Sequence, residues 1–228
     1  MEAIGQAFFL ERDAVVDFLN TASEHYNVVL PVEKNGSVVF SSYEGDVEPC
    51  LEYVRTKLPL KKFLLPSYEK LYAYLLRARE INLVWNLPRD PPTLFFGVHS
   101  CDYNAVLLLD KVFLSEPADP YYKARRSGSI FFVLLCDKSD DYCFCESLGT
   151  DRPLKKPDAE MYPLEGGYLV KTYSERALEL AKLAKLKGAF TKEPAISPRN
   201  KRRFKVEAAE RILELVSEEK WKQLSRKC

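Results

Sequence analysis

Two stretches of the chain share one pattern of apolar and polar positions. Thr93–Val98 and Ile130–Leu135 are apolar, β-branched and aromatic runs, and each leads to a cysteine followed by aspartate, Cys101-Asp102 and Cys136-Asp137. Such runs are the signature of strands buried on both faces of a parallel sheet. Between them, Cys101–Phe113 places Ala105, Val106, Leu108, Leu109, Val112 and Phe113 at helical recurrence, which suits a helix lying against a sheet face. Strand, helix and strand predict a βαβ unit with its two strands parallel. The expected fold class is therefore α/β with mixed α+β character: a central sheet whose parallel βαβ core carries cysteines at the carboxyl ends of its strands.

The remaining pattern fills in around that core. Ala14, Val15, Phe18, Leu19 and Ala22 give residues 12–23 one apolar helical face. Val28–Val32 and Ser37–Ser41 flank Asn35-Gly36, and Asn-Gly between β-rich runs predicts a hairpin because its turn needs positive φ at both central residues. A short helix is expected over Glu48–Lys57, with Cys50 packed in its first turn. A second, capped by Ser67, is expected to run to Arg79 with an aromatic stripe from Tyr68, Tyr72 and Tyr74. Ile81–Trp85 reads as a strand, the connection Leu114–Gly128 as a solvated basic turn, and Asp151–Glu165 as loop. Tyr168–Thr172 reads as a strand and Ser174 as the cap of a helix through Lys187, stopped at Gly188. Thr191–Lys205 has the composition of a linker, and Val206, Ala209, Ile212, Leu213, Val216 and Trp221 outline a last helix over Val206–Leu224. Two units follow from this reading, an α/β domain over 1–190 and a basic linker with a C-terminal helix over 191–228.

Charge narrows the classes of partner. With 34 Lys and Arg against 33 Asp and Glu, no long-range field favours nucleic acid or an anionic membrane surface. No apolar run approaches the roughly 20 residues that span a bilayer, and the acidic N-terminal stretch is unlike a signal peptide. The expected location is the cytoplasm, where clustered cysteines signify metal or redox chemistry more often than structural disulfides.

Candidate chemistry concentrates on the two cysteine-bearing strand ends. Ligands collect beyond the carboxyl ends of parallel strands; Cys101 and Cys136 fall there, and Cys143 and Cys145 follow on the next loop. Four thiolates can close around one zinc ion or hold an iron–sulfur cluster with one thiolate per iron. The polar segment DKSDDYCFC is a poor place to bury two core cysteines. His99 is a candidate outer partner of the thiols. Arg125 and Arg126 are candidates to balance a negatively charged cluster, on the condition that their loop folds back from the opposite end of the second strand. A disulfide across Cys143-Phe144-Cys145 ranks behind both metal readings, because its ring would be very small and no flanking base is evident.

Six segments in order, VVLPVEKNG, PLKKFLLPSYEKL, FFGVHSCDYNAVLLLDKVF, DPYYKARR, CDKSDDYCFCESLGT and GGYLVKTYSE, resemble the beta subunit of cytosolic sulfhydrogenases, which are nickel–iron hydrogenases, and equally the A subunit of anaerobic sulfite reductase. The resemblance implies a non-catalytic electron-transfer subunit of an oxidoreductase. Its partners would be a flavin- and NAD(P)H-binding subunit and a terminal hydrogenase or reductase subunit. It also implies that Cys101, Cys136, Cys143 and Cys145 hold a [4Fe-4S] cluster. The family continues into a ferredoxin-like segment with further cluster ligands, of which Trp221 and Arg226-Lys227-Cys228 resemble the beginning. The rival expectation is a scaffold or binding module in which the same four cysteines close around structural zinc.

Overall fold

A computed structural model describes residues 5–77, 80–88 and 91–189; the expected linker, last helix and Cys228 lie outside these. The chain builds an eight-stranded mixed sheet and a separate two-stranded one. In chain order the strands are β1 (Gln6–Glu11), β2 (Asn27–Lys34), β3 (Ser37–Ser42), β4 (Tyr72–Arg77), β5 (Glu80–Trp85), β6 (Thr93–His99), β7 (Ile130–Leu134), β8 (Ala159–Leu164), β9 (Gly167–Thr172) and β10 (Lys187–Gly188). The helices are α1 (Val15–Ser23), α2 (Ser100–Phe113), α3 (Pro120–Ser127) and α4 (Glu175–Leu183). The large sheet runs β10-β1-β9-β8-β7-β6-β2-β3. Its centre, β8-β7-β6-β2, is parallel, and antiparallel strands flank it on both sides.

Alternation along the central strands explains the two cores. Leu94 and Phe96 of β6 and Ile130, Phe132 and Leu134 of β7 face Val15, Phe18 and Leu19 of α1 and Ala177 and Leu180 of α4. Phe95, Phe131 and Val133 face Tyr103, Val106 and Leu107 of α2 and Tyr122 of α3. Helices thus cover both faces, which is why these strands read as continuous apolar runs rather than alternating ones.

The predicted βαβ unit is present as β6–α2–β7, with α3 inside the connection. Asp119 ends the preceding turn and caps α3, its Oδ1 accepting from the Tyr121 and Tyr122 amides at 2.9 and 2.7 Å, with Pro120 opening the helix. The expected basic turn is therefore half helix. The hairpin also forms, Asn35 and Gly36 taking φ of +52° and +68°. Ser174 caps α4 through the Ala177 amide at 3.2 Å, but α4 stops at Leu183 because Lys185 takes φ +53° and Gly188 joins β10.

Three expectations are corrected. Residues 48–57 form no helix: Pro49 interrupts them, the Cys50 amide bonds the Pro31 carbonyl at 2.8 Å, and Leu51 and Tyr53 are buried two residues apart, the spacing of extended chain. The helix expected from Ser67 is absent from the described residues 67–77; Tyr72–Arg77 pairs with Glu80–Trp85 in antiparallel fashion, where alternating aromatic and aliphatic residues favour a strand. Asp151–Glu165 contains β8, which extends the parallel core. Strand β1 was not anticipated; it lies between β9 and β10 and pairs with both.

Candidate functional site

The carboxyl end of β6 is shaped by Gly97. Pairing between β6 and β7 slips between Phe96 and Val98, and Gly97 there takes φ +69°, a left-handed conformation that a side chain disfavours. The slip sends Val98 to the α2 face, although strict alternation would have kept it with Phe96. His99 then stacks flat on Tyr53, ring centres 4.0 Å apart at 6°, while the Tyr53 hydroxyl donates to the Gly97 carbonyl at 2.9 Å. The extended 48–57 segment thereby closes over the strand end. Burial holds His99 neutral, its pKa lowered to about 4, and pushes the Tyr53 hydroxyl well above its usual value.

Cys101 follows on the first turn of α2. His99, at the helix N-cap, supplies no side-chain hydrogen bond to the first turn, so the positive end of a 14-residue helix lies beside the thiol without a side-chain cap. The Ser100 and Ser139 Oγ atoms are buried without a hydrogen-bond partner among the described residues. A buried hydroxyl in that state is costly, and two of them lie in the segments that carry the cysteines. Solvent reaches Cys101, yet the surrounding protein pushes its thiol up to about 12, with Asp102, Cys145 and Cys136 adding to burial. Burial alone raises Asp102 to about 6.

The other three thiols ride on the connection from β7 to β8, residues 135–158, which has no regular element. Cys136 leaves the strand and donates to the Lys138 carbonyl at 2.7 Å. Cys143 Sγ accepts from the Asp140 amide and contacts Asp140 Oδ1, each at 3.4 Å; burial, then that carboxylate and Cys145, raise its thiol. Around Cys145, its carbonyl accepts from the Thr150 amide at 2.8 Å.

Side chains from both neighbouring segments pin this loop. Asn104, buried on α2 one turn beyond Cys101, donates to the Thr150 and Arg152 carbonyls at 3.1 and 2.8 Å and accepts from the Leu154 amide at 2.8 Å. Arg55 pairs with Asp140 at 3.0 Å and lies over the Tyr142 ring at 4.3 Å. Asn104 had a sequence signal, since it is a polar residue on the sheet-facing stripe of α2 with Tyr103 and Leu107. Arg55 and Tyr53 had none while residues 48–57 read as helix.

Cys136 and Cys145 both add to the upward shift of the Cys101 thiol, and Cys145 adds to that of Cys143. Among the described residues, however, no three His, Cys, Asp or Glu side chains approach closely enough to hold one metal ion. Cys50 stands apart, packed against the α1-side core with burial raising its thiol, in keeping with a packing role. Arg125 and Arg126 are engaged elsewhere: Arg125 pairs with Glu69, and Arg126 with Asp110 at 2.9 Å, over the Phe131 ring. Asp110 lies more than two turns along α2 from Cys101, so the loop does not fold back to the thiols. Beside the site, a 330 Å³ cavity lined by Tyr53, His99, Leu135, Asp137 and Lys138 opens at the same strand ends. No helix among the described residues is long and apolar enough to cross a membrane.

No family model matches the chain, and no solved structure does. Over 170 residues, 75% of its length, it is 35% identical to sulfhydrogenase 2 subunit beta of Pyrococcus furiosus, and it spans 49% of that protein. The chain covers about half of the relative it matches, and over that half it is similar to a sulfhydrogenase beta subunit.

Proposed function

We propose that the chain is the electron-transfer part of a hydrogenase-type or sulfite-reductase-type oxidoreductase, and that Cys101, Cys136, Cys143 and Cys145 hold one [4Fe-4S] cluster. The observation that supports this reading is topological: Cys101 opens α2 directly after β6, and Cys136, Cys143 and Cys145 follow β7 on the connection to β8, beyond the carboxyl ends of adjacent parallel strands. One zinc ion draws four sulfurs to about 2.3 Å from a common centre. A cluster with one thiolate per iron holds them further apart, so the cluster and zinc readings require different sulfur spacings.

Bound there, the cluster would supply one-electron chemistry at the low to moderate potentials typical of cysteine-held clusters. This chain's residues bind and tune. The uncapped N-terminus of α2 favours negative charge beside Cys101. The unpartnered Ser100 and Ser139 hydroxyls are donors available to sulfur. Neutral His99 and Tyr53 close one side of the strand end against water. Electrons would pass between a flavin- and NAD(P)H-binding subunit and a terminal hydrogenase or reductase subunit in the cytoplasm, with no bond chemistry on this chain.

Electron paramagnetic resonance on the anaerobically reconstituted full chain, before and after reduction by a low-potential donor, tests the reading. A reducible iron–sulfur signal that disappears in Cys101→Ser is expected. Stoichiometric zinc with no reducible signal would overturn it in favour of the scaffold.

A further inference from the structure

The β4–β5 hairpin is amphipathic in the wrong direction for a free surface. Residues directly opposite on an antiparallel pair share a face, and the register places Tyr72 with Trp85, Tyr74 with Leu83 and Leu76 with Ile81. All six side chains of that face are large and apolar, and each is between 50% and 65% exposed. The opposite face carries Ala73 with Val84, Leu75 with Asn82 and Arg77 with Glu80, so the charged and amide side chains are all on that side. One face is thus entirely large and apolar, whereas the other mixes exposed Leu75 and Val84 with its polar and charged residues. The arm is held at its base by the Tyr121 hydroxyl on the Leu71 carbonyl, by the Asn86 amide on the same carbonyl at 3.0 Å, and by Arg125 on Glu69.

We propose that this face binds the same face of a second copy of the chain, making a two-fold dimer through stacked hairpins. Six side chains of this size, half exposed or more, present on the order of 800 Å², one partner's share of a standard interface. A two-fold contact requires a surface that complements itself, and the face has no charge to oppose its own image. The chain as a whole has a net charge of +1, so long-range repulsion between copies is weak. Two twisted sheets pack face to face by interdigitating such rows. A two-stranded hairpin alone is also marginally stable in water, and covering its apolar face supplies the missing layer.

Sedimentation equilibrium on the full chain at micromolar concentration tests this. The expected mass is twice the 26.2 kDa of one chain. Tyr74→Lys with Leu83→Lys, a facing pair at the middle of the apolar face, is expected to weaken association at least tenfold. Leu75→Lys, on the other face, is expected to leave it unchanged. All these positions are exposed, so far-ultraviolet circular dichroism is expected to be the same in every variant. A chain monomeric at tens of micromolar, including one that associates only with a different subunit, would overturn the proposal. So would a dimer that survives the double substitution.

Discussion

The ends of β6 and β7 start from the same sequence design and finish differently. After β6, the chain turns directly into α2, and Cys101 rides a helix whose Tyr103, Val106 and Leu107 are locked into the core. After β7, three cysteines follow on a connection with no helix at all, although parallel strands are usually joined by one. Long irregular connections within a compact sheet are commonly functional. The contrast teaches that regular packing fixes the first thiol, whereas the connection bearing the other three is tied down by side chains, Asn104 at residues 150–154 and Arg55 at Asp140.

Removing what the two ends share gives the largest expected effect. Phe131 of β7 stacks on Phe95 of β6, centres 4.8 Å apart at 17°, with Tyr103 of α2 at 5.3 Å. Phe131→Ala is expected to cost about 3–5 kcal/mol in chemical denaturation of the metal-free chain; a loss under 1 kcal/mol would contradict this packing. Gly97→Ala acts on the β6 end alone. The new Cβ would sit 2.5 Å from Leu51 Cδ2 at φ +69°, and left-handed strain with overpacking predicts a loss of about 2–3 kcal/mol. A neutral outcome would mean that the strand end is freely adjustable.

Cutting the tether between the two ends sharpens the comparison further. Asn104→Ala removes three hydrogen bonds to residues 150–154, with an expected cost of about 2 kcal/mol. Amide exchange should accelerate at Leu154 and Thr150 while the Phe131 amide stays protected, and equal acceleration at both would refute a local role for the tether. Ser100→Ala is the mildest change. Its hydroxyl has no partner among the described residues, so the metal-free chain should change stability by less than about 0.5 kcal/mol. With the cluster bound, losing a donor to sulfur should lower its reduction potential, and an unchanged potential would remove Ser100 from the site.

The β6–α2–β7 core was legible in the sequence because burial on both faces writes an unambiguous apolar run, and the Asn35-Gly36 hairpin because its turn chemistry is specific. What misled lay where periodicity serves two structures. Tyr72, Tyr74 and Leu76 alternate as a strand, yet Tyr68, Leu71, Tyr72 and Leu75 also fit a helix, and only pairing with Glu80–Trp85 decides. Tyr53 and Arg55 reach the site through the closing of 48–57 over the strand end, a non-local contact that no local pattern encodes. The basic pair Arg125 and Arg126 read as cluster partners by charge alone, whereas position along the sheet assigns them to Glu69 and Asp110.

The central claim is that four thiols, one on a helix and three on a loop, hold one cluster together. Iron, acid-labile sulfide and zinc measured on the anaerobically reconstituted chain, beside a Cys143→Ser, Cys145→Ser double variant, test it most directly. Iron and sulfide in equal amounts near four per chain are expected, with a brown chromophore absent from the variant. Stoichiometric zinc without colour, or iron and sulfide bound equally well by the variant, would contradict it.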